Sequence, residues 1–500
     1  MSDLINKSLN KITKSSSIVL VGTFFSLFLG FLGKIIFARY TAQYEYGIFT
    51  LGVTVVLILT TISTLGLQEG SVKYIAHFRG KNDPENIKAT IFSSIIISLT
   101  TSIFITVIFF MASNFIATDI FNASDASLIL KILSVSIPFS VLISIIIAIY
   151  RSFNITKTKV FFSDFLRPIV YLLFLTVIIL LGRSYVAMVC AYVISIVITG
   201  LTLTIYFLKK PPFMIKWNEI SANNITKDLV SYSIPLFVAG ILLTIMSWTD
   251  TLMLGYFKNP DIVGAYNAAY PISSLLSIII SSLSFLYVPI ISQLYSKNQV
   301  KELGIINATL TKWGFMLTLP FFFIVFIFPD FVLNLLFGPQ YTEASTTLQI
   351  LSIGFISNSY FGFNYYTLLS TGKSNFLMKC SFISAILNII LNLILIPMLS
   401  MNGAAIASAS SFILIEIYMT ISLYKFLKIH PYSRNYLKIT MISILLVLGF
   451  YLSKFLFSSS FFVLIMFVSM FMLFYVFLIL FSQSLDNNDI LMLQSIKNKI

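Results

Sequence analysis

Ionisable side chains are scarce in this chain, and only a few of them lie within its long apolar segments. Charged residues make up 10% of the sequence, against 58% hydrophobic residues. A charge inside such a segment is energetically costly, so these residues are candidates for binding or transport. The candidates that we select from this set are the cations Lys34, Arg39, Lys131 and Arg167 and the acids Asp250 and Glu416. Cations of this kind bind anionic groups such as phosphate, whereas a buried acid can take up a proton or bind a cation.

Several of these charges also have a purely structural interpretation. Lys34 and Asp250 could form an ion pair with each other. Arg39 lies near the end of its apolar segment, where its side chain could extend to the membrane surface. Lys131 also lies near the start of a segment and could contact lipid headgroups. The functional and structural interpretations therefore stay open for these four residues.

The remaining charges carry similar alternatives. Asp164 and Arg167 are spaced i, i+3 on one helix and could pair with each other. Without such a pair, Arg167 would suit a phosphate. Glu416 has no visible partner in its own segment. It is therefore either a protonated, hydrogen-bonded buried acid or part of a cation-coupling site.

Amide and aromatic side chains follow the same apolar segments and suggest a polar cavity. Such groups suit sugar recognition, but they also hold membrane helices together through hydrogen bonds. The candidates are Trp248, Asn267, Asn358, Asn364, Asn388 and Asn392.

Composition and segment length predict an all-α polytopic membrane protein. Mean hydropathy is +0.96, and most apolar runs exceed the roughly 20 residues that cross a bilayer as a helix. We expect about 14 spans. Their approximate limits are 17–41, 47–67, 89–113, 127–150, 159–182, 185–208, 228–256, 263–292, 310–335, 344–370, 376–397, 402–424, 439–457 and 460–482.

The sequence contains an internal repeat with a constant offset. The matching stretches are Gly33–Lys34 with Asp250–Thr251, Tyr46–Phe49 with Val263–Tyr266, Asp125–Ser134 with Glu343–Ser352, and Thr156–Lys157 with Gly372–Lys373. Their offsets all fall between 216 and 218 residues, so they indicate one duplication. In a strongly apolar chain, a long repeat is typical of a transporter with two lobes around a central site.

The repeat and the spans together predict six regions. They are a cytoplasmic N-terminal segment (1–16), a first lobe with spans 1 to 6 (17–208), a cytoplasmic linker (209–227), a second lobe with spans 7 to 12 (228–425), two further spans (426–482) and a cytoplasmic C-terminal tail (483–500).

The net charge of +14 is distributed along the chain in a way that predicts its topology. Lysines and arginines concentrate in alternate connections, beginning with the segment before the first span, while the other connections are poor in them. This positive-inside pattern predicts that both termini lie in the cytoplasm. We expect the protein to lie in the plasma membrane. The basic excess therefore reflects topology and is no indication of nucleic-acid binding.

The sequence offers no set of residues for enzymatic chemistry. Its two histidines, His77 and His430, fall in predicted loops, and no Cys/His cluster has metal-ligand spacing. No nucleophile–base set is evident either. We therefore expect no cofactor, no metal centre and no enzymatic activity.

Several stretches, in this order and spacing, resemble the polysaccharide transporter family of the multidrug/oligosaccharidyl-lipid/polysaccharide (MOP) exporter superfamily. They are Gly33–Tyr40, Glu45–Gly47, Leu65–Glu69, Tyr74–Gly80, Trp248–Asp250, Gly264–Pro271, Phe337–Tyr341, Thr371–Lys373, Asn388–Pro397 and Gly403–Ala405. The resemblance covers positions from about 17 to 425, and the last two spans match only in hydropathy.

The resemblance implies a two-lobed fold of 14 helices that rocks between inward- and outward-facing states. Its implied cargo is an oligosaccharide linked to a polyprenyl phosphate or pyrophosphate, bound through cavity cations. Membrane lipids, a glycan polymerase or glycosyltransferases are the implied partners, with Na⁺ or H⁺ as a coupling ion. The alternatives are a cation-coupled drug or metabolite antiporter of the same fold, and a scaffold without transport.

The two halves of the repeat differ at the candidate charges. Lys34 aligns next to Asp250, and Lys131 aligns with Gln349. We therefore expect the first lobe to bind the anion, and the second lobe to carry any ion coupling.

Overall fold

The computed structural model describes residues 22–182, 184–213, 225–454, 461–482, 484 and 489. All regular secondary structure in these ranges is helical. The predicted N-terminal segment 1–16 and most of the predicted linker and C-terminal tail lie outside the described residues. The chain divides into two compact units, unit 1 (Met1–Gly264) and unit 2 (Ala265–Ile500).

The described part of unit 1 contains ten complete α-helices, the first of which begins at the first described residue. They are α1 (Gly22–Arg39), α2 (Gln43–Thr64), α3 (Leu67–Gly80), α4 (Pro84–Phe115), α5 (Ala126–Ser134), α6 (Ser136–Ser152), α7 (Lys157–Lys159), α8 (Arg167–Leu180), α9 (Tyr185–Lys209) and α10 (Ile225–Phe257). Two π-helical segments, Ile116–Ile120 and Val160–Leu166, continue α4 and connect α7 to α8.

The helices that follow complete the described structure. α11 (Pro260–Ser274) begins in unit 1 and ends in unit 2. The others are α12 (Ile278–Ser296), α13 (Val300–Ile327), α14 (Pro329–Leu336), α15 (Ser345–Phe361), α16 (Asn364–Ser370), α17 (Ser374–Leu427), α18 (Arg434–Lys454) and α19 (Phe461–Phe481).

The helices agree with the predicted polytopic architecture. Eleven stretches of the described chain are helical, long and apolar enough to cross a membrane. This count omits three further spans of the described chain, which are broken, merged with a neighbour or too short to meet its length criterion. One is broken into α15 and α16, one shares the 54-residue helix α17 with its neighbour, and one is α19, whose described apolar part is Ile465–Phe481. Ser400, with φ 55° and ψ −135°, marks the boundary between the two spans inside α17.

A π-helical turn shapes the span that contains Arg167. Pro168 is the second residue of α8. Proline has no backbone N–H to donate to the carbonyl four residues earlier, and its ring crowds that carbonyl. The carbonyl in question belongs to Asp164, which lies in the π-helical segment Val160–Leu166. The widened turn therefore separates Asp164 from Arg167.

Helix α10 belongs to unit 1, where it packs against α2, α3 and α4. Its contact with α3 is close because Gly66 and Gly70 face it. A Cβ on Gly66 would lie 2.4 Å from the Ser233 carbonyl oxygen, and one on Gly70 would lie 2.1 Å from the Ser233 hydroxyl. The predicted lobes divide at the linker 209–227 instead. That assignment follows the sequence repeat and stays a prediction.

Aromatic side chains dominate one core of unit 2. Phe323 of α13 stacks on Phe471 of α19, with ring centroids 3.8 Å apart. Phe450 of α18 contacts both rings edge-on. The last two spans, which match the family only in hydropathy, are therefore packed into unit 2 through α13.

Candidate functional site

Lys34 lies on α1 with its side chain exposed. It has no hydrogen-bond or ion-pair partner among the described residues. Gly33, the residue before it, faces α8: a Cβ there would lie 2.7 Å from the Tyr171 ring. The two helices therefore approach closely beside Lys34 because position 33 has no side chain. The result is an unpaired cation that directly follows the contact between Gly33 and the half-buried Tyr171.

Arg167 begins α8 and is half-buried. Its guanidinium donates a hydrogen bond to the Tyr192 hydroxyl at 3.1 Å and lies 5.6 Å from the centroid of that ring. The expected pair with Asp164 does not form, since Asp164 pairs with Lys159 at 3.6 Å. A guanidinium has five N–H donors. Most of those of Arg167 therefore have no acceptor among the described residues.

Tyr171 and Tyr192 lie between Arg167 and the part of α1 that carries Gly33. Tyr171 follows Arg167 by one helical turn on α8, and its ring meets the Tyr192 ring edge-on at 5.6 Å. Tyr171 also contacts α1 at Gly33. Arg167 thus contacts this tyrosine pair directly, and Lys34 directly follows Gly33, the residue that faces Tyr171. We call these four residues the cation–tyrosine site (Lys34, Arg167, Tyr171 and Tyr192). Sequence reasoning missed both tyrosines, although the i, i+4 spacing of Arg167 and Tyr171 places them on one helix face.

The other two candidate cations have separate environments. Arg39, at the end of α1, is exposed and has an interaction within the structure. Lys131 is half-buried on α5, and its ammonium lies 5.9 Å from the centroid of the Phe110 ring on α4. Such a distance fits a cation–π contact.

Asp250 and Trp248 lie near the end of α10. Asp250 is buried, and it has an interaction within the structure. Trp248 is half-buried. Asp250 is thus not an isolated charge, and its predicted part in ion coupling stays a prediction.

Glu416 lies on the second half of α17 and is 5% exposed. One carboxyl oxygen accepts a hydrogen bond from the Asn358 amide of α15 at 3.1 Å, and the other, also buried, has no donor among the described residues. One turn further along α17, the Thr420 hydroxyl accepts a hydrogen bond from the Asn364 amide at 2.7 Å. Two predicted amides therefore face α17 at Glu416 and Thr420.

The remaining amides connect helix segments. The Asn388 amide donates to the Ser408 hydroxyl at 3.0 Å, and the Asn392 amide donates to the Asn388 carbonyl oxygen at 3.0 Å. The first bond joins the two spans that α17 contains, and the second lies within one of them. Asn267 is buried and has an interaction within the structure. The Asn388 bond therefore agrees with the helix-joining interpretation, and the role of Asn392 stays a prediction.

One buried ion pair was not expected. Lys312 of α13 forms a salt bridge with Asp489, and the side chains are 2% and 0% exposed. The Trp313 indole N–H donates to the other Asp489 oxygen at 2.8 Å. Lys312 is visible in the sequence as a charge within a predicted span. Its partner is not, because Asp489 lies in the predicted tail.

Comparison with known proteins gives two family matches. The profile of the family described as "Polysaccharide biosynthesis protein" matches residues 12–295. The profile described as "MatE" matches residues 235–394.

Two archaeal relatives are similar to the chain. An uncharacterized membrane protein of Methanocaldococcus jannaschii is 23% identical over 452 residues, which cover 87% of this chain and 88% of the relative. The "Probable low-salt glycan biosynthesis flippase Agl15" of Haloferax volcanii is 30% identical over 235 residues, which cover 46% of this chain and 48% of the relative.

Solved structures share the fold. The lipid II flippase MurJ, in an inward closed conformation, superposes with a TM-score of 0.73 at 15% identity, over 92% of this chain and 97% of MurJ. An inward-facing multidrug resistance MATE family transporter of the MOP superfamily gives 0.69 at 14% identity, over 80% and 94%. With the first family profile matching more than half of its 500 residues, this multi-pass helical membrane protein belongs to the polysaccharide biosynthesis protein family of the MOP superfamily.

Proposed function

We propose that this protein is a flippase that moves an oligosaccharide linked to a polyprenyl phosphate or pyrophosphate across the plasma membrane by alternating access. The product serves the synthesis of a surface polysaccharide or glycan. Family membership and the names of its relatives support this class of cargo. On this proposal the protein is a transporter and not an enzyme.

The cation–tyrosine site is the observation that carries the proposal. A phosphate needs hydrogen-bond donors with positive charge, and Lys34 and Arg167 offer both without a competing carboxylate. Sugars stack on aromatic faces and bond to hydroxyl groups, which Tyr171 and Tyr192 provide. An apolar cargo alone would favour a site without cations, because unpaired cations are costly in a membrane.

The other predicted residues keep their proposed roles. Arg39 and Lys131 would guide the anionic head group toward the cation–tyrosine site. Asp250 would serve ion coupling with Na⁺ or H⁺. Trp248, Asn267, Asn358, Asn364, Asn388 and Asn392 would line the path of the glycan or hold it open. Both termini would lie in the cytoplasm, in keeping with the positive-inside charge pattern, and a glycosyltransferase or polymerase would supply or consume the cargo.

The test is flipping of a fluorescent polyprenyl-pyrophosphate oligosaccharide by purified protein in lipid vesicles. Flipped cargo is detected by its protection from an added glycosidase that cannot cross the membrane. Removing Lys34 or Arg167 (K34A, R167A) should slow flipping roughly 10- to 150-fold, since a hydrogen bond to a charged group contributes about 1.5–3 kcal/mol. Lys81→Ala removes an exposed cation in the turn between α3 and α4 and should leave the rate unchanged.

Two results would contradict the proposal. Unchanged flipping in both K34A and R167A would exclude a cationic site at this position. Export of cationic drugs, with no flipping of the lipid-linked glycan, would instead establish the antiporter alternative.

A further inference from the structure

A break in one span of unit 2 creates a polar cluster around Glu416. Gly362 separates α15 from α16 with φ +74° and ψ −128°, a conformation open to glycine but strained for other residues. In a continuous helix, the side chains of Asn358 and Asn364 would point roughly 120° apart around the helix axis, at about 100° per residue. The break at Gly362 changes the relative direction of the two side chains. The Asn358 amide therefore reaches Glu416 of α17, and the Asn364 amide reaches Thr420 of the same helix.

The cluster leaves two buried oxygens without a donor. They are the second carboxyl oxygen of Glu416 and the amide oxygen of Asn364, and both residues are at least nine-tenths buried. No lysine or arginine among the described residues pairs with Glu416. The titratable groups that face it are Cys380, from the first half of α17, and Tyr432, from the segment after α17. Both are ordinarily uncharged at neutral pH.

A buried carboxylate with a single neutral amide donor is strongly disfavoured as an anion. Its charge must be cancelled by a proton or by a bound cation. We propose that Glu416 is a reversible proton-binding site, loaded through the hydroxyls of Thr420 and Tyr432. The role of this proton in a transport cycle rests on the flippase function proposed above, whereas the proton site itself does not.

A line of polar groups leads from Glu416 out of the helix core. The Thr420 hydroxyl donates to the Glu416 backbone carbonyl at 2.8 Å, and the Tyr432 hydroxyl lies beside Thr420. The Tyr432 ring stacks on exposed His430, with centroids 6.4 Å apart. Burial raises the pKa of the Tyr432 hydroxyl, so it keeps its proton and can relay another. Chains of this kind are typical of proton relays in membrane proteins.

The proton site can be tested without any assay of transport. Infrared difference spectra of the purified protein in lipid vesicles detect the C=O band of a protonated carboxyl group. We expect this band at neutral pH in the wild type, its reversible loss at alkaline pH, and its absence from Glu416→Gln. Glu85→Gln, which changes an exposed carboxylate at the start of α4, should keep the band.

Two infrared results would overturn the proton site. One is a wild-type band that is missing at neutral pH. The other is a band that disappears on addition of Na⁺ at constant pH, because Glu416 would then be a sodium ligand.

Vesicle flipping under an imposed pH gradient tests the coupling. We expect the gradient to change the wild-type rate about tenfold, within the usual range of coupling between two sites, and to leave the rate of Glu416→Gln unchanged.

The proton route is tested by two further variants. Thr420→Val and Tyr432→Phe should keep the infrared band of Glu416, but the band should respond more slowly to a pH jump. If both variants respond to the pH jump as fast as the wild type, the proposed proton route through these hydroxyl groups is wrong. If the infrared band changes with pH but no vesicle experiment shows flipping of the lipid-linked glycan, the proposed function is wrong and the proton-binding site is still supported.

Discussion

Gly47 of α2 and Gly264 of α11 pack directly against each other's backbone, and they are equivalent positions of the two repeats, 217 residues apart. A Cβ on Gly47 would lie 1.8 Å from the Pro260 carbonyl oxygen. A Cβ on Gly264 would lie 2.3 Å from the Gln43 carbonyl oxygen. Gln43 and Pro260 are also 217 residues apart, so each repeat presents the same two positions to the other. The duplication is therefore visible as a reciprocal contact.

Either glycine should be intolerant of a methyl group. Gly47→Ala and Gly264→Ala each place a Cβ against backbone, which cannot move aside as a flexible side chain does. We expect each to lower the free energy of unfolding by about 1–3 kcal/mol or more, as overpacking does. Thermal unfolding of the detergent-purified variants measures this. Gly30→Ala, with nothing within 4 Å of the new Cβ, is the control and should be neutral or slightly stabilising. Equal unfolding temperatures for all three variants would contradict the close backbone contact between Gly47 and Gly264.

The Arg167–Tyr192 hydrogen bond should orient the guanidinium for its ligand. Arg167→Lys keeps the charge but loses the planar fork that binds two phosphate oxygens. We expect it to raise the Kd for a polyprenyl pyrophosphate roughly 10-fold or more. Tyr192→Phe should raise the Kd less, because it keeps both the charge and the planar fork of Arg167. Titration calorimetry checks both values. Tyr206→Phe removes a hydroxyl elsewhere on α9 and should leave Kd unchanged. A Kd that Arg167→Lys does not alter would argue against a phosphate at this site.

The buried salt bridge between Lys312 and Asp489 should stabilise unit 2 only when both partners are present. Asp489→Ala leaves Lys312 charged and buried, which we expect to cost about 3–5 kcal/mol of stability. Replacing both (K312M with D489L) should restore much of the loss. Thermal unfolding of the single and double variants measures the coupling. Glu69→Ala breaks the exposed Arg151–Glu69 pair and should cost at most about 1 kcal/mol. A small effect of Asp489→Ala alone would exclude the buried pair.

The break between α15 and α16 should require Gly362. Alanine there would adopt a strained backbone, and its Cβ would lie 2.1 Å from the Thr311 hydroxyl. We expect a loss of about 1–3 kcal/mol from the backbone alone. Gly449→Ala in α18, with nothing near its new Cβ, is the matched control. Comparable unfolding midpoints for the two variants would show that the left-handed turn at position 362 is not needed.

Alternating access can be tested by cross-linking α4 to the start of α10. The hydroxyls of Ser93 and Thr226 are 2.8 Å apart, so cysteines at both positions can form a disulfide. Thr226 lies in the predicted linker, two residues before the second predicted lobe begins. We therefore expect the oxidised pair to stop flipping and a reductant to restore it. A disulfide between cysteines at Thr318 and Ser359, whose hydroxyls are 3.2 Å apart within the second lobe, should not stop flipping. Full activity of the oxidised S93C/T226C protein would mean that these segments never separate.

Hydropathy predicted the helices because burial in a membrane requires long apolar runs and little else. It could not show where a span breaks. The stretch 344–370 is continuous in hydropathy, yet Gly362 divides it, and only tertiary contact with Thr311 shows why a glycine is needed there. The boundary at Ser400 inside α17, by contrast, lies between the predicted spans 376–397 and 402–424, so hydropathy did indicate it.

Candidate charges were easy to find, but their partners were not. Lys34 and Arg167 stand out in apolar segments, whereas Tyr171 and Tyr192 are two of 25 tyrosines and become informative only through their contacts. The i, i+3 spacing of Asp164 and Arg167 suggested a pair, but the π-helical turn before Pro168 separates them. Local spacing assumes regular helix geometry, and this span departs from it.

The pairing of Lys312 with Asp489 also has a consequence for biogenesis. Helix α13 is synthesised 177 residues before its counter-charge, so it enters the membrane before Asp489 can pair with Lys312. During that interval the insertion machinery or the membrane surface has to accommodate the ammonium group. Maturation of unit 2 therefore waits for residue 489, and a nascent chain arrested earlier should remain open to proteolysis at α13.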